Sequence, residues 1–323
     1  MNKILVLLYH GVTTEENTRT LDLRNYNFKH LNKKIFEKQI QIISKKCNII
    51  SVNELVNYWN GNYEYKKPTV LVTFDDGFRN NLHIAKPILE KYQVPATFYI
   101  STGNVSNQEL FWVDILEIIF NKSKLYKLDK ERMPHLYKLF FNHSKNIIFD
   151  NRNSRIEILN KVKKKLKLCH PIIRNKIIEN ISNELEVENS FKVKDYHPDY
   201  SILNWEEVKK IELSDLFTIG GHSRWHNILS TLTGEELVEE IKGSIEDLKT
   251  NLGSFSGHYA YPEGQKDHFN IETIQVLKKF GVKSCPSAQQ GLAEKNTQSL
   301  FDFKRVMVGI DQSSKKYLKD FIL

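Results

Sequence analysis

Asp75 and Asp76 stand side by side in Thr73-Phe74-Asp75-Asp76-Gly77-Phe78, directly after the apolar run Val70-Leu71-Val72. Two carboxylates a few ångströms apart at the end of a buried strand resist joint ionisation, so a cation or a proton must offset the repulsion. A second cluster lies far away in the chain, in Gly220-Gly221-His222-Ser223-Arg224-Trp225-His226, where two imidazoles at i and i+4 follow another apolar segment. One carboxylate and two histidines make a three-ligand set with open coordination positions, the pattern of catalytic metal sites. With Asp76, His222 and His226 on a divalent ion, Asp75 is left over as a base. Metal coordination brings the pKa of bound water from about 15.7 towards ~7. The chemistry indicated is hydrolysis at a carbonyl carbon, with Asp75 taking the proton of the attacking water.

Such a reaction needs two further groups. The oxyanion requires a backbone N–H besides the metal, and the tight turn Pro262-Glu263-Gly264 offers one. A leaving amine must be protonated from the opposite side. By position the candidate acid is His10, in Leu8-Tyr9-His10-Gly11-Val12. Taken singly each element has a plain alternative. Asp-Asp-Gly is also a turn signal, His10 serves equally well as a donor to a loop carbonyl, and lone histidines are often just packed. The HxxxH spacing lacks the Glu after its first His that marks a zinc-protease helix.

The elements that must position these residues follow a βαβ rhythm. Ile4–Leu8, Thr69–Phe74 and Ala96–Ile100 read as buried strands, and Asn48–Ser51 as a short one. Asn32–Lys45, Glu54–Trp59 and His83–Tyr92 read as helices, the second capped by Ser51 or Asn53. The alternation resumes with a helix from Trp205, a strand ending at Ile219, helices over Thr233–Leu252 and Ile271–Phe280, and a late strand over Arg305–Val308. His10, Asp75, Asp76, His222 and the Tyr261–Gly264 corner all fall at strand ends, which gather at one mouth in parallel α/β folds. Between 112 and 200 the rhythm breaks into a Lys-, Asn- and Ile-rich helical stretch. The organisation expected is one α/β domain over 1–323 with a helical insertion at 112–200.

Composition limits the function classes. Of 323 residues 40% are hydrophobic and 27% charged, which is globular rather than disordered. The net charge of +8 admits anionic substrates, anionic membrane surfaces or nucleic acid, but no recognition motif supports nucleic-acid binding. Cys47, Cys169 and Cys285 are widely spaced with no CxxC pair, against a disulfide framework or thiolate zinc site. The first apolar run is too short for a signal-peptide core and no small-residue cleavage site follows it. No stretch approaches the ~18 apolar residues of a membrane helix. The setting expected is cytoplasmic.

Thr73–Phe78, His222–His226 and Tyr259–Gly264 resemble the TFDDG, HSxxH and third motifs of the polysaccharide deacetylase family, also called the NodB-homology or carbohydrate esterase four group. The opening Tyr9-His10-Gly11-Val12 resembles the YHxV start of many members. The resemblance implies a distorted (β/α) barrel and metal-dependent removal of N-acyl groups, most commonly N-acetyl, from amino sugars. It implies Asp75 as base, Asp76, His222 and His226 as ligands, and the backbone N–H of Glu263 as oxyanion donor. The metal implied is Zn²⁺, with Co²⁺, Ni²⁺, Mn²⁺ or Fe²⁺ also admitted by this donor set. In a cytoplasmic setting the substrate expected is a nucleotide- or lipid-linked N-acyl sugar, with contact at a membrane surface among the partners. Ala260 and Glu263 occupy positions where the third motif often has Arg and Tyr, and Arg305 is the candidate to replace that Arg. No C-terminal Leu-x-His motif is present, and members with the YHxV start resemble an arrangement in which the N-terminal His is the acid; hence His10. A sugar N-deformylase with the same site, or a catalytically silent glycan-binding protein on this scaffold, are the alternatives.

Overall fold

Lys3 is the last charged residue before six successive residues that a strand buries, Ile4 to Tyr9, and the ring of strands starts there. The computed structural model describes residues 3–15, 22–61, 65–139, 148–188, 196–309 and 314–322. These fall into two compact units, one from described residues within 3–15, 27–109 and 196–322, the other within 22–26 and 110–188.

The first unit runs β1 (Lys3–Tyr9), β2 (Gly11–Thr13), β3 (His30–Asn32), α1 (Lys33–Lys46), β4 (Asn48–Ile49), α2 (Val52–Asn60), β5 (Thr69–Phe74), α3 (Lys86–Lys91), β6 (Ala96–Ile100) and α4 (Thr102–Asn107). The second unit contributes α5 (Trp112–Lys122), α6 (Pro134–Lys138), α7 (Arg152–Leu166) and α8 (Pro171–Glu184). The first unit then resumes with α9 (Trp205–Glu212), β7 (Phe217–Gly221), α10 (Gly234–Leu252), α11 (Ile271–Lys279), β8 (Ala293–Glu294), β9 (Val306–Met307) and α12 (Ser314–Ile322).

Four parallel strands, β7, β6, β5 and β1, form the centre of the sheet. β1 and β5 pair from Ile4 opposite Thr69 to Tyr9 opposite Phe74, so His10 and Asp75 leave the sheet at the same level. Beyond these strands the ladder thins to single bridges: Gly221 with Tyr259, His258 with Ser284, and Gln290 with Arg305. β9 then pairs with β1 again. The ring of strand contacts therefore closes as a distorted barrel. Strand alternation sends Tyr9, Phe74 and Phe98 outward, where Phe74 stacks on Phe98 at 4.8 Å and on Tyr9 at 5.3 Å, with Phe36 of α1 against them. The same alternation sends Thr73 and Asp75 inward.

Ser51 rather than Asn53 caps α2, in a capping box with Glu54. The helix expected over His83–Tyr92 is regular only as α3, and the turn before it, Asn81–Ala85, is wound wider than an α-helix. Pro87 has no N–H to give to the His83 carbonyl, which loosens that turn.

The second unit has its own core, built from Trp112, Leu116 and Phe120 of α5, Leu159 and Val162 of α7, and Ile178 and Ile181 of α8. It differs in extent from the insertion expected at 112–200. Leu23 lies in the helical core, so residues 22–26 belong to this unit. Pro198–Tyr200 forms a tight turn of the first unit, where Thr13 donates to Asp199 at 3.3 Å.

Candidate active site

The chain reverses sharply after β5. Asp75 still pairs as a strand residue, its N–H on the Tyr9 carbonyl at 2.9 Å. Asp76 and Gly77 then take left-handed backbone, φ 79° and 91°, a conformation costly for an aspartate and free for glycine. That turn separates the two carboxylates: Asp75 stays inside the ring and Asp76 faces its mouth.

β7 ends at Gly221, and the His222 N–H bonds the Ile100 carbonyl at the end of β6 at 2.9 Å. The loop that follows is clamped from two sides. Thr102 and Gly103 of α4 donate to the carbonyls of Ser223 and Arg224 at 3.2 and 2.7 Å. A Cβ on Gly103 would lie 2.6 Å from the Trp225 ring, so only glycine allows this approach. From the other side Glu240 of α10 accepts from the N–H groups of Arg224 and Trp225 at 3.1 and 2.8 Å, and from the Asn227 amide at 3.1 Å. Ser223 and His226 are held in left-handed backbone, φ 59° and 51°.

The outcome is a buried cluster of three donors. Asp76 Oδ1 lies 3.5 Å from His222 Nε2 and 3.2 Å from His226 Nε2, and all three donor atoms lie within 4.8 Å of one another. Donors at 2.0–2.2 Å from a tetrahedral centre sit about 3.4 Å apart, whereas a direct N–H···O bond is nearer to about 2.9 Å. The spacing thus suits a cation between the donors better than close hydrogen bonding. His222 Nδ1 donates to the Ala260 carbonyl at 2.9 Å, which orients the ring with Nε2 towards Asp76. Burial works against the Asp76 anion, but the two histidines hold its carboxyl well below the usual carboxylate range. Among the described residues this is a site that fits a divalent metal.

Asp75 has a different partner. Arg305, directly before β9 and without exposed surface, meets it with a bidentate pair, Nη1 to Oδ1 and Nη2 to Oδ2, both at 2.7 Å. The guanidinium is itself held by the Ser287 carbonyl at 2.9 Å from Nε and by Thr73 Oγ1 at 3.3 Å. Burial raises the Asp75 pKa, yet the Arg305 charge, with His222 beside it, brings the net value below the ordinary one. His10 follows β1 half-buried, its Nδ1 enclosed without a hydrogen-bond partner. Burial lowers its pKa against the opposing pull of Asp76 and Asp75. Glu263 has φ 60°, in a turn closed by the Gly264 N–H on the Pro262 carbonyl at 2.7 Å. Ala260 ties that segment to β7 through Gly221 at 2.9 Å.

The positions singled out from the sequence therefore come to one mouth: Asp76, His222 and His226 in mutual contact, Asp75 on Arg305, His10 within electrostatic reach of both carboxylates. Sequence reasoning missed Glu240 and the Ala260 carbonyl. Glu240 had a visible signal, an acid on the buried stripe of α10 with Leu237, Ile241, Ser244 and Leu248. Trp225, between Arg224 and His226, packs over Gly103 and is half-buried.

Comparison with known proteins adds three findings. The family model described as polysaccharide deacetylase matches residues 62–135 and 170–285, more than half of the chain. The match includes Asp75, Asp76, His222, His226 and Glu263 and stops short of Arg305. Poly-beta-1,6-N-acetyl-D-glucosamine N-deacetylase of Staphylococcus aureus is 26% identical over 181 residues, 51% of this chain. The aligned part spans 60% of that relative's length. In fold the chain is similar to IcaB from Ammonifex degensii, at TM-score 0.61 and 16% identity over 100% of this chain and 98% of that one. It is likewise similar to the Streptococcus pyogenes deacetylase PplD, at TM-score 0.59 and 16% identity over 98% and 97%.

Two substitutions test this geometry. Glu240→Ala removes the anion that gathers three donors of the histidine loop, and metal affinity is expected to fall roughly 10–100-fold, as for other groups that orient ligands; titration with Zn²⁺ against a competing chelator measures it. Arg305→Met strands a buried carboxylate, with an expected loss of about 3–5 kcal/mol by denaturant unfolding. A stability equal to wild type would mean that Asp75 draws its compensation from elsewhere.

Proposed function

Because the chain belongs to the polysaccharide deacetylase family, we propose that it is a divalent-metal-dependent N-deacetylase acting on N-acetylglucosamine residues of a glycan. The observation that carries this reading is the separation of the two carboxylates. Asp76 shares a buried cluster with two histidines, while Asp75 is charged and held apart by Arg305.

Asp76, His222 and His226 would hold the metal, which supplies a Lewis acid for the acyl oxygen and a lowered pKa for water. Asp75, ionised and fixed in orientation by two hydrogen bonds, accepts the proton of the attacking water. Arg305 keeps its charge throughout, since a guanidinium does not deprotonate in this pH range, so the carboxylate stays anchored whether or not it carries that proton. The Glu263 N–H donates to the oxyanion as it forms. His10 protonates the departing amine. Burial lowers its pKa, so His10 takes up a proton from solvent before giving it to the amine nitrogen as the C–N bond breaks, and the proton that Asp75 took from the water returns to solvent at the end of the cycle.

On the substrate, the curated relatives are named for a β-1,6-linked N-acetylglucosamine polymer. That name favours a polymer as the first substrate to test, ahead of the nucleotide- or lipid-linked sugar expected from the sequence. The test is a panel of metal-loaded assays: β-1,6- and β-1,4-linked N-acetylglucosamine oligomers, a nucleotide-linked N-acetylglucosamine, and N-formyl counterparts. Acetate and formate release are quantified separately. Acetate from the oligomers is expected, and Asp75→Asn and His10→Ala should each lower kcat by about 10²–10⁴ with metal content unchanged. Formate alone would make the protein a deformylase. Silence across the panel from metal-loaded protein would leave a glycan-binding scaffold, and full activity in Asp75→Asn would remove that residue as the base.

A further inference from the structure

Two buried polar residues join the segment that carries His10 to the turn that carries both carboxylates. The pairing of β1 with β5 ends at Tyr9, so His10 leaves the sheet. The next residues form β2, which pairs only with β3, Gly11 opposite His30 and Val12 opposite Leu31, in a ribbon apart from the main sheet. Asn80 ties that ribbon down. It stands three residues after Gly77 of the carboxylate turn and is buried. Its Oδ1 accepts from the Val12 N–H at 3.2 Å. A backbone N–H can only donate, so the amide turns Nδ2 towards His30 Nδ1, 3.0 Å away. His30 is buried with the edge of its ring against Phe78, centroids 4.6 Å apart. Burial, helped by the charges of Lys29 and His10, holds its pKa well below the ordinary value, which favours Nδ1 as an acceptor. Gly11 makes the approach possible, since a Cβ there would lie 1.9 Å from His30 Nδ1 and 2.9 Å from Asn80 Oδ1.

Stapling one loop N–H needs only the Asn80 oxygen. The second bond, to an imidazole packed on the residue after His10, makes a bridge between the exits of β5 and β1. Buried amides and imidazoles are costly unless bonded, and here each bonds the other. We infer that Asn80 and His30 are positioning residues for His10, setting its distance from Asp75 and the metal ligands, an assignment that rests on His10 as the group protonating the departing amine. In that step His10 gives its proton to nitrogen as the C–N bond breaks, so a misplaced ring slows an amide. It does not slow 4-nitrophenyl acetate. There the C–O bond breaks to release 4-nitrophenolate, which is stable as an anion and takes no proton, while the metal ligands, Asp75 and the Glu263 N–H act as before.

The zinc-loaded full chain is assayed for acetate release from β-1,6-linked N-acetylglucosamine oligomers and for 4-nitrophenolate release from the ester. His10→Ala and Asn80→Ala are each expected to slow the amide and spare the ester. For Asn80→Ala the fall in kcat should be about 10²-fold, as for a misplacement of ~1 Å, with KM and Zn²⁺ affinity at wild-type values. Added to His10→Ala, it should cost nothing more, because it acts through the imidazole. His30→Leu keeps an apolar side chain against Phe78 but offers Asn80 no acceptor. It should show the same selectivity, and it carries the test if Asn80→Ala does not fold by far-UV circular dichroism. Full amide activity in folded Asn80→Ala and His30→Leu, beside an impaired His10→Ala, overturns the positioning role alone. Equal loss of amide and ester, or weaker Zn²⁺ binding, would make the bridge merely structural and overturn it too. Full amide hydrolysis by His10→Ala, or none by wild type, would remove the acid and the positioning role with it.

Discussion

Adjacent carboxylates can both stay ionised inside a protein only if each meets its own positive charge, and the barrel unit is arranged around that requirement. Asp75 follows the alternation of β5 into the ring, where Arg305 waits with two 2.7 Å hydrogen bonds. Asp76 is thrown the other way by a left-handed backbone, towards His222 and His226. Without the turn at Asp76 and Gly77 the two anions would compete for one compensating charge. With it, one becomes a fixed, charged proton acceptor and the other a metal ligand.

The same mouth collects several non-glycine residues in left-handed conformation: Asp76, Ser223, His226 and Glu263. Each such residue costs roughly 1–3 kcal/mol, and the surrounding contacts must hold it there. Glu240 does so for the histidine loop by gathering three donors with one carboxylate, and α4 does so by backbone bonds that a side chain at position 103 would prevent. The Ala260 carbonyl completes the arrangement by orienting His222. Positional accuracy at the ligands is thus maintained by groups that never touch the metal position.

The helical unit obeys different rules. Its core is a set of aliphatic and aromatic side chains between α5, α7 and α8, with the described residues 22–26 drawn in by Leu23. Lys161, Lys164 and Lys165 of α7 fall in the positions that this packing leaves outside. That explains their spacing along α7 but not the aliphatics exposed beside them.

How much of this was legible in the chain depends on the range of the interaction. β1, β5 and β6 stand out because each is a continuous apolar run, and α1, α10 and α11 because their apolar residues repeat at helical spacing. β2, β3 and the single bridges that close the ring are too short to leave a pattern. For the site, residue type and local spacing determined the candidate donors: two carboxylates at a strand end, two imidazoles at i and i+4, a Pro-Glu-Gly turn. Their assembly belongs to the tertiary structure, because the decisive contacts join residues that local propensity cannot relate. Asp75 meets Arg305 across 230 positions and His222 meets Ala260 across 38. Sequence could nominate Arg305 as a cation near a late strand; only the closing of β9 onto β1 buries that cation beside Asp75, where low dielectric makes each charge depend on the other.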